Sequence, residues 1–413
     1  MAHEPIFATT GKATDDIDVR LSYKIVELFS EGLYASPNKA IEELVANSFD
    51  AGAQRVAVFM PADFHEQGAT IGVLDDGEGM DAEGLKRHWL IGISNKRDLS
   101  KLPKGRQQIG KFGIGKLATY VLASRFTHIS KKDGKFYSTS MDYGKIDKRV
   151  EEGVEPKTPI KIALRELTEP EAQNAIKAWT DAAAFKATGI KLFGKGASAS
   201  WTFAILSDLK EKVHEIQRGV LEWVLRTALP LRDDFGIYFD GIKLEASKSG
   251  KGRLKKWVIG KEIKTIDKPA PKGFTESEDT NRSESDTHRF GLTHPTLGRV
   301  TGYMELYKDV LSGKSDALAR SYGIFVYVRE RLVNILDGHF GISPNDLKHG
   351  VFNRWRLVVY MEGLNDEIRA NRETLREGPV LIDAQNLFKA LFNLARQRYE
   401  EHESGEESGA SLA

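Results

Sequence analysis

The sequence has no cysteine, which excludes disulfides and thiolate metal sites and fits a reducing compartment. Neither charge is in excess: 60 Lys and Arg stand against 59 Asp and Glu. A chain whose main task is coating nucleic acid is more basic than this, so any DNA contact is expected from a local patch. No run approaches the roughly 20 apolar residues of a membrane-spanning helix. Met1 to Asp18 carry acidic residues and no apolar centre, so no signal peptide is expected and a cytoplasmic location is. No internal repeat is visible. What is present is a chain of 413 residues, long enough for two or three domains with full hydrophobic cores.

The stretch that organises the chain runs from Ala40 to Ala53 (AIEELVANSFDAGA). Ser36 suits a helix N-cap and Pro37 the first helical position. Ile41, Leu44, Val45 and Ser48 then recur at helical spacing, which predicts one amphipathic helix. Glu43, Asn47 and Asp50 lie on a single face beside that stripe. Glu42 lies roughly 140° around the helix from Asn47 and is expected to point elsewhere. A solvated polar face would look the same, so the stripe alone decides nothing.

Further along, strands are predicted at Arg55–Met60 and Thr70–Leu74. The second runs straight into Asp75-Asp76-Gly77-Glu78-Gly79-Met80, a backbone that must bend sharply and approach something closely. A second glycine cluster, Gly110-Lys111-Phe112-Gly113-Ile114-Gly115-Lys116, precedes a predicted helix at Ala118–Ser124. It satisfies the first part of a Walker A pattern but has Leu117 where the magnesium-binding hydroxyl belongs, and its glycine order is the reverse of a dinucleotide fingerprint. Small residues opening a helix still suit an anion resting on terminal N–H groups.

Downstream, helices are expected at Pro170–Ala187 and Leu209–Leu225, with a hairpin at Phe235–Leu244. The composition then turns basic and afterwards rich in Pro, Ser and acidic residues. The resulting division is an arm at 1–20, a first domain at 21–245, a linker or insertion at 246–290, a second domain at 291–402 and a disordered tail at 403–413.

Three motifs stand in order: E-x-x-x-N-S-x-D-A at Glu43 to Ala51, D-x-G-x-G-M at Asp75 to Met80, and G-x-x-G-x-G at Gly110 to Gly115. Together they resemble the Bergerat nucleotide-binding fold of the GHKL superfamily, which includes gyrase B subunits, ninety-kilodalton heat-shock chaperones, histidine kinases, MutL and MORC proteins. The fold class this resemblance implies is α/β, an α+β two-layer sandwich that binds ATP, followed by a second α/β domain like the S5-like transducer of that superfamily.

The resemblance also assigns roles. Asn47 would hold Mg2+ against the triphosphate, Glu43 would be the general base, and Asp75 would accept the adenine amino group. Gly77 and Gly79 would let the backbone reach the purine, and Met80 would pack on it. Asp50 would buttress the pocket. Gly110, Phe112, Gly113, Ile114 and Gly115 would cradle the phosphates under a lid at 92–114, with Ser94 and Lys96 hydrogen bonding near the nucleotide. In the second domain, Asn371-Arg372-Glu373 resembles a chaperone segment whose arginine reaches the γ-phosphate, so Arg372 would act as an arginine finger. Read without the resemblance, the stretch Leu364–Glu377 is a salt-bridged amphipathic helix.

The function implied is a slow, ATP-gated switch that dimerises on nucleotide, with DNA or a partner effector protein as client and no membrane. The preferred context is prokaryotic restriction or phage defence, with a chaperone-like ATPase or a non-hydrolysing nucleotide-dependent module as alternatives. Lys248, Lys251, Arg253, Lys255 and Lys256, beside Trp257, form the one basic run that could touch a phosphate backbone; a solvated loop is the plainer reading.

Overall fold

The computed structural model describes residues 36–90, 106, 108–109, 115–145, 160–228, 234–245, 252–311, 321–335, 337–368 and 375–410. Its first helix, α1 (Pro37–Asp50), has Ser36 at the N-cap and proline in its first turn, although the Ser36 side chain makes no capping hydrogen bond. Strands β1 (Arg55–Phe59) and β2 (Ile71–Asp75), helix α2 (Ala82–His88) and a 3-10 helix (Gly115–Val121) follow. Next come β3 (Ala123–Lys132), β4 (Lys135–Asp142) and β5 (Leu164–Leu167). Three short helices, α3 (Glu169–Ala175), α4 (Lys177–Thr180) and α5 (Ala183–Ala187), lead to β6 (Trp201–Leu209). Helix α6 (Arg218–Ala228) precedes β7 (Gly236–Phe239) and β8 (Ile242–Lys243).

These eight strands form one sheet in the order β5-β4-β3-β6-β2-β1-β7-β8, antiparallel except where β1 pairs with β7. The period-2 alternation of a strand sorts its side chains between two cores. Val56, Val58, Ile71 and Val73 pack with Ile41, Val45 and Phe49 of α1. Ala57, Phe59, Leu74 and Phe203 face the other way, toward Ala172, Ile176 and Phe185 of the short helices. Helix α1 thus lies across the inner face of the sheet, with the Asp75 end of β2 close to its C-terminal turn.

A second sheet follows. It contains β9 (Arg253–Val258), β10 (Thr275–Glu278), β11 (Phe290–His294), β12 (Gly298–Tyr307), β13 (Gly323–Val328), β14 (Arg331–Leu332) and β15 (Trp355–Met361). Its order is β10-β11-β12-β15-β13-β14, and β9 pairs with the far half of β12. Helix α7 (Pro379–Ala410) covers one face through Leu387, Phe388, Leu391 and Phe392.

Several expected boundaries move. The 246–290 stretch, expected as a linker or insertion, supplies β9, which pairs along β12, and β10, which pairs with β11. The 170–187 segment divides into short helices instead of one, with breaks at Ile176 and Ala182. Strand β6 runs on to Leu209, where a helix was expected to begin. Helix α7 continues past 402, where a tail was expected; pairs such as Arg398–Glu401 support its exposed turns.

The two sheets meet across α6. Leu221 and Leu225, one turn apart, enter the first core, whereas Val220, Trp223 and Val224 on the other side pack with Phe325, Leu332, Ile335 and Val358 of the second sheet. The Tyr327 hydroxyl donates to the Thr227 carbonyl at 2.9 Å. A helix that is apolar on two sides is what a buried connection between two cores requires.

Candidate functional site

Helix α1 carries charge where a core helix should not. Glu42, Glu43 and Asp50 are 0%, 1% and 4% exposed, and Lys39 is 2% exposed, which excludes a solvated polar face. Asn47 is the only residue of the helix that is even partly exposed. Buried ionised groups are retained only when paired and hydrogen-bonded, and each of these has partners.

At the C-terminal end of α1, the Ser48 hydroxyl reaches Asp75 Oδ2 at 2.9 Å, with the Leu44 carbonyl at 3.2 Å as a second acceptor. The Gly77 N–H donates to Asp75 Oδ1 at 3.0 Å, so the carboxylate at the end of β2 is held from both sides. The loop that follows is bound to the molecule's own backbone. A Cβ on Gly77 would lie 2.8 Å from the Ala51 carbonyl oxygen, and one on Gly79 would lie 2.1 Å from that of Lys131. Gly79 also has φ +63°, the left-handed region that favours glycine. Both glycines are thus required by contacts with the protein's own backbone. The Met80 N–H is fixed by the Ser130 hydroxyl at 2.7 Å.

Asp50 turns toward the second glycine cluster, and its Oδ1 accepts the Ile109 N–H at 2.7 Å. Just before it, Arg106 is buried between Phe49 and Phe235 and donates to the Ala53 carbonyl at 2.7 Å. Arg106 and Ile109 are therefore anchored to the C-terminal end of α1 and the turn after it. Gly115 begins a 3-10 helix where an α-helix was expected. Gly110, Phe112, Gly113, Ile114, Ser94, Lys96 and Arg372 lie outside the described residues. The segment around Arg372 is flanked by a 3-10 turn (Glu362–Glu367) and by an Ile368–Leu375 bridge, so the expected helix does not begin at Leu364.

The N-terminal end of α1 holds the residue that motif reading missed. Arg331, on β14 of the second sheet, is 3% exposed. Its Nε donates to Glu42 Oε1 at 2.9 Å and its Nη2 to Glu43 Oε1 at 2.6 Å, with Nη2 also 2.8 Å from Glu42 Oε1. Lys39 Nζ lies 2.7 Å from the other Glu42 oxygen. Burial works against the charge on Arg331, but attraction from Glu42 and then Glu43 outweighs it and pushes its pKa up. Glu42 was expected to face away from the site; one guanidinium spans both carboxylates and brings it in. The signal available was the second carboxylate itself, a charge beside the motif glutamate with no partner in its own helix except Lys39.

The basic run is partly used by the protein. Arg253 pairs with Glu305 at 2.7 Å, Lys256 lies 3.8 Å from the Tyr303 ring centre, and burial lowers the pKa of Lys256. These residues belong to a strand, not a solvated loop; Lys248 and Lys251 lie outside the described residues.

Residues 34–174 match the family described as "Histidine kinase-, DNA gyrase B-, and HSP90-like ATPase". That stretch contains α1, the Asp75 loop and the Gly110–Gly115 cluster. A protein of Herpetosiphon aurantiacus described as "Putative type II restriction enzyme HgiDII" is 30% identical over 156 residues. The shared stretch covers 37% of this chain and 24% of that protein. No helix among the described residues is long and apolar enough to cross a membrane.

Proposed function

We propose that this chain binds ATP with magnesium, hydrolyses it slowly, and uses the cycle as a conformational switch between two copies of itself. The observation that carries the reading is the burial pattern of α1: a buried Glu43 one turn from a partly exposed Asn47, on a helix otherwise closed to solvent. Asn47 offers a neutral oxygen for a magnesium ion that keeps phosphate and water as its other ligands. Among the described residues no group of three or more His, Cys, Asp or Glu could hold a metal, so a magnesium here would rely on Asn47 and the nucleotide. Bound magnesium would supply charge neutralisation on the phosphates.

Glu43 takes the proton of the attacking water. Asp75, positioned by Ser48 and Gly77, accepts the adenine amino group, and a base lacking that donor leaves a buried carboxylate unmatched. Met80 packs on the purine and Asp50 holds the glycine cluster in place. Gly110, Phe112, Gly113, Ile114 and Gly115 surround the phosphates, Ser94 and Lys96 hydrogen bond at the lid edge, and Arg372 senses the terminal phosphate. Closure, not chemistry, then limits the rate.

The name of the Herpetosiphon relative supports a restriction-system setting, with DNA or an effector protein as client. The test is Glu43→Ala: ATP turnover is lost while ATP binding is kept, and turnover at the wild-type level removes the assignment. Light scattering with a non-hydrolysable ATP analogue should show a shift from monomer to dimer; no shift with nucleotide bound favours a simple nucleotide-dependent module.

A further inference from the structure

We infer that Arg331 is the positioning residue for Glu43, so that the general base is set only while the second sheet is docked on α1. The inference rests on the reading of Glu43 as the base. Four ionised groups, Lys39, Glu42, Glu43 and Arg331, form a buried set of balanced charge, and one of them comes from the other sheet. Arg331 holds the carboxylate of Glu43 through Oε1 and uses Glu42 as its second anchor.

The hairpin that delivers Arg331 is built for placement. β13 and β14 are joined by Arg329 and Glu330, both with positive φ, 48° and 64°. Two-residue hairpin turns of this hand ordinarily carry Asn-Gly, because bulkier L residues are strained there. Such strain persists where the surroundings over-determine it, and it collects at functional positions. Here the surroundings are explicit. The Arg329 N–H donates to Glu362 Oε1 at 3.0 Å. The buried Asn334 accepts from the Val326 N–H at 3.0 Å and donates to the carbonyls of Ile324 at 2.9 Å and Asp337 at 2.7 Å. Leu332, next to Arg331, is fully buried against α6. Support of this kind, behind a side chain that touches the reacting group, is what holds a site to its working geometry.

As a stabilising device the cluster is poor. Buried ion pairs seldom repay the desolvation of their members. Arg331 Nη1 is buried without a hydrogen-bond partner, and Lys39 Nζ, though close to Glu42, is off the hydrogen-bond axis. An apolar contact would join the two sheets at lower cost, as Leu332 and Val224 already do. The charges are explained by the neighbour they hold.

The experiment compares Arg331→Gln, Arg331→Lys and the charge-balanced Glu42→Gln/Arg331→Gln variant in the full chain, below the melting temperature of each. Arg331→Gln should lower kcat by about a hundredfold, the scale expected when a reacting group is displaced by about 1 Å. KM and equilibrium ATP affinity should stay within about threefold of wild type, since α1, Asp75 and Asn47 are untouched. Lysine should recover part of kcat, and removing the Glu42 charge should recover part of what Arg331→Gln loses. Wild-type or faster turnover in Arg331→Gln overturns the inference, as does an equal loss of affinity and rate in all three variants. Failure of even the charge-balanced variant to fold also overturns it, by making the contact structural. If Glu43→Gln itself turned over normally, the assignment of the base would fail instead, so the two failures are separable.

Discussion

The two ends of α1 make a comparison within one helix. At its C-terminal end, Asp75 is held by Ser48 and Gly77, all from the first sheet and its helix. At its N-terminal end, Glu43 is held by Arg331, which lies 288 residues further along the chain. On the proposed function, recognition of the base would be complete within the first unit, whereas the hydrolytic end would be completed by the second. The proposed switch would need this division, because a nucleotide must bind before the closing element commits it to reaction. Helix α6, apolar on both sides, is the physical link between the two ends of that logic.

Glu43→Gln should cut single-turnover hydrolysis by about a thousandfold, the range of a lost general base, with nucleotide still bound. Asp75→Asn should weaken ATP binding by about a hundredfold, on the order of the 3 kcal/mol of a charged buried hydrogen bond, as read by titration calorimetry. Leu332→Ala should lower stability by about 2–4 kcal/mol through a cavity beneath the hairpin, seen as a lower chemical-denaturation midpoint, and should reduce turnover more than ATP affinity. Ser48→Ala removes one hydrogen bond to Asp75 at about 1.5 kcal/mol, so affinity should fall by about tenfold with kcat nearly unchanged. Smallest of all, Lys255→Ala should change stability by less than about 0.5 kcal/mol, as expected of a surface substitution. A loss of salt-dependent duplex DNA binding in that variant would bring the basic strand into the functional surface.

The local layout of the candidate site was legible because its parts are close in sequence. The stripe Glu43, Asn47, Asp50 follows from helical period, the Asp75 loop from a strand ending in glycines, and both lie within a few dozen residues. Burial was not legible: the same stripe could have faced water, and the core on both sides of the sheet decides otherwise. At Gly77 and Gly79 the sequence shows that something comes close; that a Cβ there would meet the protein's own backbone is visible only in the structure. The segment of β9 and β10 was taken for a linker or insertion because its composition is charged, while the pairing partners, β12 for β9 and β11 for β10, are supplied only by the tertiary structure. Arg331 lies in a segment, GIFVYVRER, with three charges at a strand end. Which of them turns inward depends on the two-residue turn and on the docking of a second sheet, and no local pattern encodes either.

Equilibrium ATP binding to Glu43→Gln and Asp75→Asn, measured side by side on the full chain, tests the division of the helix most directly. The expected result is affinity within about threefold of wild type for Glu43→Gln and about a hundredfold loss for Asp75→Asn. Equal loss of binding in both variants would contradict it, since the two ends of α1 would then act as one binding surface.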